Sequence, residues 1–432
     1  MNSKQRIVIA GAGFGGTYTY AHLHKYFHGR RDVELVIINK NNYFIFTPLL
    51  HEVATGGVEP SNIVEPLRKV CGCCLHEFHL GQIDKIDLAA KEVWMANESC
   101  RRIPYDQLVL ALGATTAYYG TPGVPECVFT LKDLDDAIRI KNNLIHSIEE
   151  AYHFHDSTKA KNRLRFVIVG GGATGVELAA ELADFCYETF SAYYPQDLIS
   201  KIEIILLSKA DSLLASFSPH FREIAHKMLL QKGVKVRLNA GVVRVDSDSI
   251  ELDNGEKIET RTVIWVAGIV PSKCDFISNK EVLLDRSGRI EVNEYLQMKD
   301  YAEVYVLGDM ACFKNPGDTK VVPALAQVAT KQSKIVASNI IASIDNKTYR
   351  PFYYRSSGSL LSLGRWLAVA EIGSFRWGGH LAWWMWRTVY LSKLLSWSKK
   401  MYVAVDWTLN LFSHRDISEI GGGGGKKTGI RR

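Results

Sequence analysis

The sequence predicts an α/β fold with two Rossmann-like dinucleotide-binding domains and a C-terminal region of amphipathic helices, and two glycine turns carry most of that prediction. The first turn, 11–16, follows the apolar run 6–10, and the second, 170–175, follows the run 165–169. Each has the pattern G-x-G-x-x-G between a β-branched run and a helix-like run. Glycines in that setting allow a tight turn, a close approach of pyrophosphate to the backbone, and packing of helix on strand. The pair of turns therefore predicts two nucleotide sites.

Length and composition exclude several classes of protein. The 432 residues, 47% hydrophobic and 23% charged, are typical of a globular chain with about two or three domains. The net charge of +6 is mild and predicts no nucleic-acid partner. The sequence contains no run of about 18 uncharged apolar residues, so we expect no membrane-spanning helix. The first predicted strand begins too close to the N-terminus to leave room for a signal peptide. We therefore expect a protein that faces the cytoplasm.

The chain is predicted to consist of five segments, with the second nucleotide unit inserted into the first. Strands alternate with helices, which favours parallel sheets with right-handed crossovers. A buried-type strand ends at Gly308-Asp309, and the first domain is discontinuous if Asp309 joins its site. The predicted segments are 1–118 and 286–348 for the two parts of the first dinucleotide-binding domain, 119–162 for a connecting helical segment, 163–285 for the second dinucleotide-binding domain, and 349–432 for the C-terminal membrane-associating region.

Three local patterns predict further elements. Apolar residues at helical spacing predict a helix over 130–156, and the basic run 159–163 is predicted to be an irregular link. Pro323 is predicted to stand at the first position of a helix that ends near Ile344, because proline suits that position.

A cluster of cysteine and histidine residues lies in segment 71–79. Cys71, Cys74, His76 and His79 could hold a metal ion by ligand type. The segment also fits an irregular strand that leads into a turn, and no second cysteine pair at zinc-finger spacing accompanies it. We therefore predict no metal site, and the eight cysteines fit a reducing compartment.

The C-terminal region is rich in tryptophan. Most of the nine tryptophans lie between Trp366 and Trp407, where basic residues interrupt the apolar ones. This interleaving is typical of helices in the membrane interface, with rings at headgroup level and cations toward anionic lipid. A dimer interface and an ordinary pair of buried helices are the alternatives. The glycine run 421–425 and the basic residues after it predict a flexible tail.

The chain resembles the type II NADH:quinone oxidoreductases, single-subunit dehydrogenases that do not pump protons. The resemblance runs from about Arg6 to Ile420 and is carried by three stretches: 39–56 (NKNNYFIFTPLLHEVATG), 170–182 (GGGATGVELAAEL) and 326–332 (AQVATKQ). It implies FAD at the first turn, NADH or NADPH at the second, and transfer of a hydride to the flavin and then of two electrons to a membrane quinone. It also implies that the protein is a homodimer and that it takes part in a respiratory chain. The protein is expected to bind peripherally to the cytoplasmic side of the cell's inner membrane.

The same resemblance assigns roles to individual residues. Glu177 is expected near the nicotinamide and the flavin with a part in proton delivery, and Gln327 is expected under the flavin; both are predicted to be catalytic. Gln327, Lys331 and Gln332 are predicted to contact the quinone. The predicted cofactor-binding residues are Gly11, Gly13, Phe14, Gly15, Gly16, Asn39, Lys40, Ile83, Gly113, Gly308, Asp309 and Gln327 at the first site, and Gly170, Gly172, Gly175, Glu177, Ser208, Lys209 and Gly268 at the second.

Each polar site residue also fits a structural role. Glu177 has a structural alternative, because it shares helical spacing with three other acids and the four could form a solvated stripe: Glu177, Glu181, Asp184 and Glu188. Gln327 could belong to a polar helix face. Asp309 could cap the turn after its strand.

The chain departs from the usual pattern at both ribose positions. An acid usually ends the second strand of a dinucleotide unit and binds the ribose hydroxyls, whereas Asn39-Lys40 and Ser208-Lys209 stand here. An asparagine can still make the bond, so FAD is retained in the prediction. A second site without an acid does not repel a 2′-phosphate and its lysine attracts one, so we expect better acceptance of NADPH than in an acid-bearing relative.

Two other functions fit the same fold. A sulfide:quinone oxidoreductase would share the domains and the membrane region, but its chemistry needs cysteines poised at the flavin. Cys127, Cys186 and Cys312 do not follow that arrangement. A membrane redox sensor with little turnover is the alternative from a different class.

Overall fold

A computed structural model of the protein describes residues 4–70, 77–96, 101–153, 157–373 and 375–419. The Cys71–Cys74 cluster and the glycine-rich tail lie outside the described residues. The chain forms two compact units, which we call unit 1 and unit 2. Unit 1 comprises 1–45, 64–115 and 269–355, and unit 2 comprises 46–63, 116–268 and 356–432. The segment boundaries given above stay predictions.

The strands and helices are numbered in chain order. The strands are β1 (Gln5–Ala10), β2 (Val33–Asn39), β3 (Tyr43–Ile45), β4 (Val64–Pro66), β5 (Glu77–Leu80), β6 (Ile83–Asp87), β7 (Glu92–Met95), β8 (Arg102–Pro104), β9 (Gln107–Leu110), β10 (Ala114–Thr116), β11 (Phe129–Thr130), β12 (Arg165–Val169), β13 (Glu203–Leu207), β14 (Lys235–Arg237), β15 (Val242–Val245), β16 (Ser249–Leu252), β17 (Lys257–Glu259), β18 (Thr262–Trp265), β19 (Ile269–Pro271), β20 (Asp275–Ile277), β21 (Ile290–Glu291), β22 (Gln297–Met298), β23 (Tyr301–Val306), β24 (Ala311–Cys312), β25 (Ser359–Ser362), β26 (Ala368–Ile372) and β27 (Phe375–Gly378). The α-helices are α1 (Phe14–Phe27), α2 (Leu50–Val53), α3 (Leu67–Val70), α4 (Val124–Cys127), α5 (Leu134–His153), α6 (Ser157–Arg163), α7 (Ala173–Ala183), α8 (Gln196–Ile199), α9 (Pro219–Gln231), α10 (Ala326–Ile344), α11 (His380–Lys393) and α12 (Trp397–Phe412).

The main sheet of unit 1 has the strand order β5-β2-β1-β9-β23-β22. All of its strands are parallel except β22, which pairs antiparallel with β23. One face of the sheet packs on the sheet β20-β6-β7-β8, where Val8 and Val36 join Ile86 and Val93 in one apolar core. Helix α1 covers the other face and packs against α10. Burial on both faces explains why the strands have continuous apolar sequences.

Unit 2 repeats this arrangement around the second glycine turn. Its main sheet is parallel throughout, with the strand order β14-β13-β12-β18-β11. Val167, Ile205 and Val263 pack on the small antiparallel sheet β15-β16-β17. Helix α7 follows the turn and continues into a π-helical turn, Asp184–Thr189.

The C-terminal part of unit 2 consists of the antiparallel sheet β25-β26-β27 followed by α11 and α12. Trp383, Trp386 and Trp407 are buried where the two helices pack. Apolar side chains on the opposite faces are exposed, and they include Leu381, Trp384, Trp397, Leu409 and Phe412. Among the helices of the described residues, none combines the length and the apolar character needed to cross a bilayer.

Two local predictions are wrong. Pro323 does not begin α10, because Leu325 keeps an extended backbone and the helix begins at Ala326. The basic run 159–163 is not an irregular link, because it belongs to α6, which packs on α5 and buries Ala160. Lysine and alanine are good helix formers, so packing on α5 is enough to order this segment.

Candidate functional site

The first glycine turn joins β1 to α1. Gly11 has a φ of +96°, and a Cβ atom there would lie 2.3 Å from the carbonyl oxygen of Ala111. A Cβ atom on Gly16 would lie 1.8 Å from the carbonyl oxygen of Gly11, whereas one on Gly13 would meet no atom within 4 Å. Gly13 is also the N-cap of α1 and offers no side chain to the free N–H groups of the first helical turn. The protein backbone requires the outer glycines, and the open space at Gly13 suits an incoming phosphate.

The second turn, from β12 to α7, has the same geometry. Gly170 has a φ of +128°, and a Cβ atom there would lie 2.7 Å from the carbonyl oxygen of Val266. A Cβ atom on Gly175 would lie 1.9 Å from the carbonyl oxygen of Gly170, and one on Gly172 would again meet nothing within 4 Å. Gly172 is the uncapped N-cap of α7. Each unit therefore contains one cradle that fits the pyrophosphate of a dinucleotide.

The parallel sheets bring several of the predicted cofactor residues to one edge in each unit. Because neighbouring parallel strands end at the same edge, residues that follow them lie side by side, and ligands bind at such edges. Asp309 lies half-buried in the 3-10 turn Gly308–Met310. The residues at or after these strand ends are Gly11, Asn39, Gly113, Gly308 and Asp309 in unit 1, and Gly170, Ser208 and Gly268 in unit 2.

Three predicted residues of the first site have packing roles in unit 1. The ring of Phe14 contacts Phe44 edge to face, with 5.2 Å between centroids. A Cβ atom on Gly15 would lie 2.9 Å from the side chain of Leu307, so this glycine allows α1 to approach β23 closely. Ile83 is buried in the apolar core. Their contacts with a cofactor stay predictions.

The amide of Asn39 braces the first glycine turn. Its Oδ1 atom accepts a hydrogen bond from the backbone N–H of Ala12 at 3.0 Å, and its Nδ2 atom donates to the carbonyl oxygen of Asn41 at 2.8 Å. The neighbouring Lys40 is exposed. This bracing role is not evident from the sequence, where Asn39 stands at the position that usually binds the ribose.

The corresponding position of the second site is polar and lacks an acid. Ser208 is buried, and a Cβ atom on Gly171 would lie 2.6 Å from its Oγ atom, so the serine packs directly on the glycine turn. Lys209 follows it and is exposed. Arg237 lies on the adjacent strand but is held by Glu256 in a salt bridge. The exposed cation at this strand end is therefore Lys209.

The three residues predicted to contact the quinone all lie on α10, where their side chains have different surroundings. Gln332 is buried, and its Oε1 atom accepts a hydrogen bond from the N–H of Gly308 at 2.7 Å. The Nζ atom of Lys331 donates to the carbonyl oxygen of Arg355 at 2.6 Å. Gln327 is half-buried in the first turn of the helix. Gln332 thus positions the Gly308 turn, and the quinone contacts of all three residues stay predictions.

Glu177 lies on α7, just after the second glycine turn. It is half-buried, and its Oε1 atom accepts a hydrogen bond from the backbone N–H of Ser362 at 3.2 Å. The pKa of Glu177 is raised to about 8, mainly by burial; the Ser362 hydrogen bond opposes this rise, and the nearby charges of Glu181 and Glu52 contribute to it. The carboxyl therefore carries a proton at neutral pH, as a proton donor must.

The acidic stripe that begins at Glu177 does not face solvent along its length. Glu181 is buried, and its Oε2 atom lies 2.6 Å from Nη2 of Arg415. Asp184 is buried too and is paired with Lys232. Only Glu188, in the π-helical turn, is exposed among these acids. The solvated-stripe alternative is therefore wrong for Glu181 and Asp184.

Glu181 also belongs to a buried cluster that the sequence does not predict. His51 and Glu52 on α2 are both buried, and their side chains meet Glu181 with the ligand atoms of the three within 4.8 Å of one another. The Nε1 atom of Trp407 donates a hydrogen bond to Glu52, and Arg415 donates to Thr55. The His-Glu pair inside the 39–56 stretch was the available signal, but it was used only to support the resemblance.

Comparisons with known proteins agree with this geometry. A model of the pyridine nucleotide-disulphide oxidoreductase family matches residues 5–333, and one of the NDH2 C-terminal domain matches residues 357–416. A type II NADH:quinone oxidoreductase of Mycobacterium tuberculosis is 31% identical over 95% of this chain and 89% of its own length. A probable NADH dehydrogenase of Dictyostelium discoideum is 31% identical over 96% of this chain and 92% of its own.

Solved structures share the fold. NDH2 from Plasmodium falciparum in complex with NADH matches with a TM-score of 0.87 and 21% identity, over 96% of this chain and all of that one. The sulfide:quinone oxidoreductase of Aquifex aeolicus matches with a TM-score of 0.71 and 18% identity, over 92% of both chains. These matches confirm the predicted α/β fold class. The family prediction is confirmed as well: the chain belongs to the type II NADH:quinone oxidoreductases, within the pyridine nucleotide-disulphide oxidoreductases.

Proposed function

We propose that this chain oxidises NADH and reduces a membrane quinone, with FAD at the Gly11–Gly16 turn and the nicotinamide nucleotide at the Gly170–Gly175 turn. Family membership confirms the predicted NADH:quinone oxidoreductase and its use of FAD and NADH. FAD, when bound, supplies the chemistry that accepts a hydride and passes two electrons to a quinone. The observation that carries the assignment is the presence of two cradles in which only the middle glycine, Gly13 or Gly172, has open space beside it.

The residues around the two cradles support specific roles. The uncapped N-termini of α1 and α7 supply N–H groups and a positive dipole end for the two pyrophosphates. Asp309 supplies a carboxylate at the edge of the first site for hydroxyl groups of the flavin nucleotide. Glu177 holds a proton at neutral pH and delivers it during quinone reduction, and Gln327 contacts the flavin or the quinone. Each of these roles is part of the proposal.

We propose further that the protein docks on the cytoplasmic face of the cell's inner membrane through α11 and α12. Leu381, Trp397 and Phe412 are 73%, 75% and 86% exposed, and Lys393 and Lys400 lie on the same helices. Large exposed apolar groups interleaved with lysines suit the interface of an anionic bilayer. The buried tryptophans of the same helices hold the helix pair together. The homodimer and the place in a respiratory chain stay predictions from the resemblance.

One experiment tests the redox proposal. Purified protein should be yellow, NADH added without air should bleach the flavin absorbance, and a soluble quinone analogue should restore it. Sulfide in place of NADH should leave the flavin oxidised, which separates this enzyme from a sulfide:quinone oxidoreductase, and sustained turnover separates it from a redox sensor. A colourless protein, or flavin that stays oxidised with NADH, would contradict the proposal.

A further inference from the structure

His51, Glu52 and Glu181 form a buried cluster of titratable side chains in unit 2. Their exposed fractions are 3%, 5% and 3%, and one ligand atom from each lies within 4.8 Å of the others. The Nε2 atom of His51 is buried, and no residue that the structure describes forms a hydrogen bond with it. Burying such groups together opposes folding. A cluster of this kind is therefore a candidate for a functional role.

The charges around the cluster favour a proton over a metal ion as its occupant. Arg415 contacts Glu181 directly, and the positive charge of Arg387 acts on Glu52 together with that of Arg415. The Arg387 guanidinium lies over the ring of Trp407, 4.8 Å from its centroid, and the N–H of this indole donates to Glu52. Two guanidinium groups already balance the two carboxylates. A divalent cation would add uncompensated positive charge.

The members of the cluster differ in their affinity for a proton. The pKa of Glu52 is raised to about 7, mainly by burial and also by the charge of Glu181, while Arg387, the Trp407 N–H and Arg415 lower it. Burial also raises the pKa of Glu181, but Arg415 and His51 outweigh this effect and leave it below its ordinary value. Burial lowers the pKa of His51 to about 4, so the imidazole is neutral at pH 7. Near pH 7, Glu52 is therefore partly protonated, and it lies beside the ionised carboxylate of Glu181 and the neutral imidazole of His51.

Glu177 is the nearest predicted catalytic group. Glu181 lies one helical turn after it on α7, so their Cβ atoms are about 6 Å apart. The charges of both Glu181 and Glu52 raise the pKa of Glu177. Tyr390 on α11 faces Glu177 as well: burial raises the pKa of its hydroxyl, and the charge of Glu177 adds to this. The cluster and Glu177 therefore form one electrostatic group.

We propose that Glu52 is a second proton-holding residue for quinone reduction, which acts through Glu177, with Glu181 and His51 as the relay between them. This inference rests on the proposed function. NADH, a quinone and one proton give NAD⁺ and a quinol; the hydride brings two electrons and one hydrogen nucleus, and the other hydrogen is a proton from water. The carboxyl of Glu177 gives its proton to a quinone oxygen and is reprotonated from the cluster. Glu52 then regains a proton from the solvent.

The variant Glu52→Gln tests the proposal, because it keeps an oxygen for the Trp407 hydrogen bond but cannot titrate. Bleaching of the flavin by NADH without air should proceed at a rate within about twofold of the natural protein. Steady-state quinone reduction should fall about tenfold or more, and its pH profile should lose the inflection near pH 7. Glu52→Asp, which can titrate, should keep that inflection. Glu188→Gln, at the exposed end of the same helical stripe, is the matched control and should change neither rate.

A second variant moves the titration without removing it. The N–H of Trp407 lowers the pKa of Glu52, so Trp407→Phe should shift the inflection to higher pH by about half a unit or more. If Glu52→Gln does not fold, Trp407→Phe tests the proposal instead, and an inflection that stays at the same pH in this variant overturns the inference.

If the natural protein reduces quinone and Glu52→Gln matches it in rate and pH profile, the inference fails while the proposed function stands. Failure of the natural protein to reduce quinone overturns the proposed function itself, and stoichiometric bound metal would replace the proton relay by a metal site.

Discussion

The turn from β1 to α1 and the turn from β12 to α7 have nearly the same geometry, although their sequences share only the three glycines of the pattern. Around each turn the neighbouring strands stand in the same order, β5-β2-β1-β9 in unit 1 and β14-β13-β12-β18 in unit 2. The last glycine of each turn lies so close to the carbonyl oxygen of the first that a Cβ atom would be less than 2 Å from it. The same close approach of backbone groups therefore shapes the phosphate cradle in both units.

The two units differ in the helix that follows the turn. Helix α1 carries Tyr18 and His22 at the positions where α7 carries Glu177 and Glu181. Helix α7 packs on α2, which buries His51 and Glu52 against it. The glycines of both turns are proposed to bind a nucleotide, whereas the proposed acid–base chemistry belongs to α7 alone, because only this helix has acids at the two positions.

The largest effect is expected where the two turns agree. Gly16→Ala and Gly175→Ala each place a methyl group less than 2 Å from a backbone carbonyl oxygen, which is much shorter than a van der Waals contact, so the strand or the helix must move. We expect each change to lower the free energy of unfolding by about 3 kcal/mol or more. Thermal unfolding of the FAD-free proteins measures this, with Gly13→Ala and Gly172→Ala as controls at uncrowded positions of the same turns. An unchanged unfolding temperature would show that the close approach is not required.

The next largest effect is expected on cofactor binding, which should differ between the two cradles. Gly13→Ala should fold but lose bound FAD, because the methyl group occupies the space of the pyrophosphate. Gly172→Ala should keep FAD and raise the KM for NADH about tenfold or more. The measurements are flavin absorbance per protein after gel filtration, and steady-state kinetics. If the two variants behave in the opposite way, the assignment of the two cofactors to the two turns is wrong.

The sequence predicts the parts of this comparison that depend on local geometry. The glycine spacing locates both turns, because only glycine tolerates the approach of Gly16 to Gly11 or the left-handed backbone of Gly170. The start of α10 was misplaced at Pro323, because a preference for proline at the first helical position is local and the extended backbone of Leu325 is set by the rest of unit 1. His51 and Glu52 were not assigned roles, because the sequence does not show which face of a short helix packs on α7.

The third prediction tests whether Glu177 gives α7 an acid–base role that α1, with Tyr18 at the equivalent position, does not have. Glu177→Gln should leave FAD bound and its reduction by NADH intact, but slow quinone reduction about 100-fold. Because the pKa of Glu177 is raised to about 8, the carboxyl carries its proton below that pH, and quinone reduction by the natural protein should decline as the pH rises through 8. The variant should lack this decline. Tyr18→Phe, at the equivalent position of α1, is the matched control, and unchanged turnover in Glu177→Gln would remove the acid–base role from α7.

The smallest effect, on the choice between NADH and NADPH, is expected at the ribose positions, where each unit has an exposed lysine, Lys40 in unit 1 and Lys209 in unit 2. Lys209 is exposed after β13, and neither it nor Ser208 repels a 2′-phosphate, whereas Arg237 is already paired with Glu256. We therefore expect kcat/KM for NADPH to lie within about tenfold of that for NADH, and Lys209→Glu to lower the NADPH value about tenfold while changing the NADH value less than about twofold. Lys40→Glu makes the same charge change at the first site and should leave the ratio of the two donors unaltered. A natural protein that prefers NADH by more than about 100-fold would contradict the prediction, because neither Ser208 nor Lys209 carries a negative charge that would repel the 2′-phosphate.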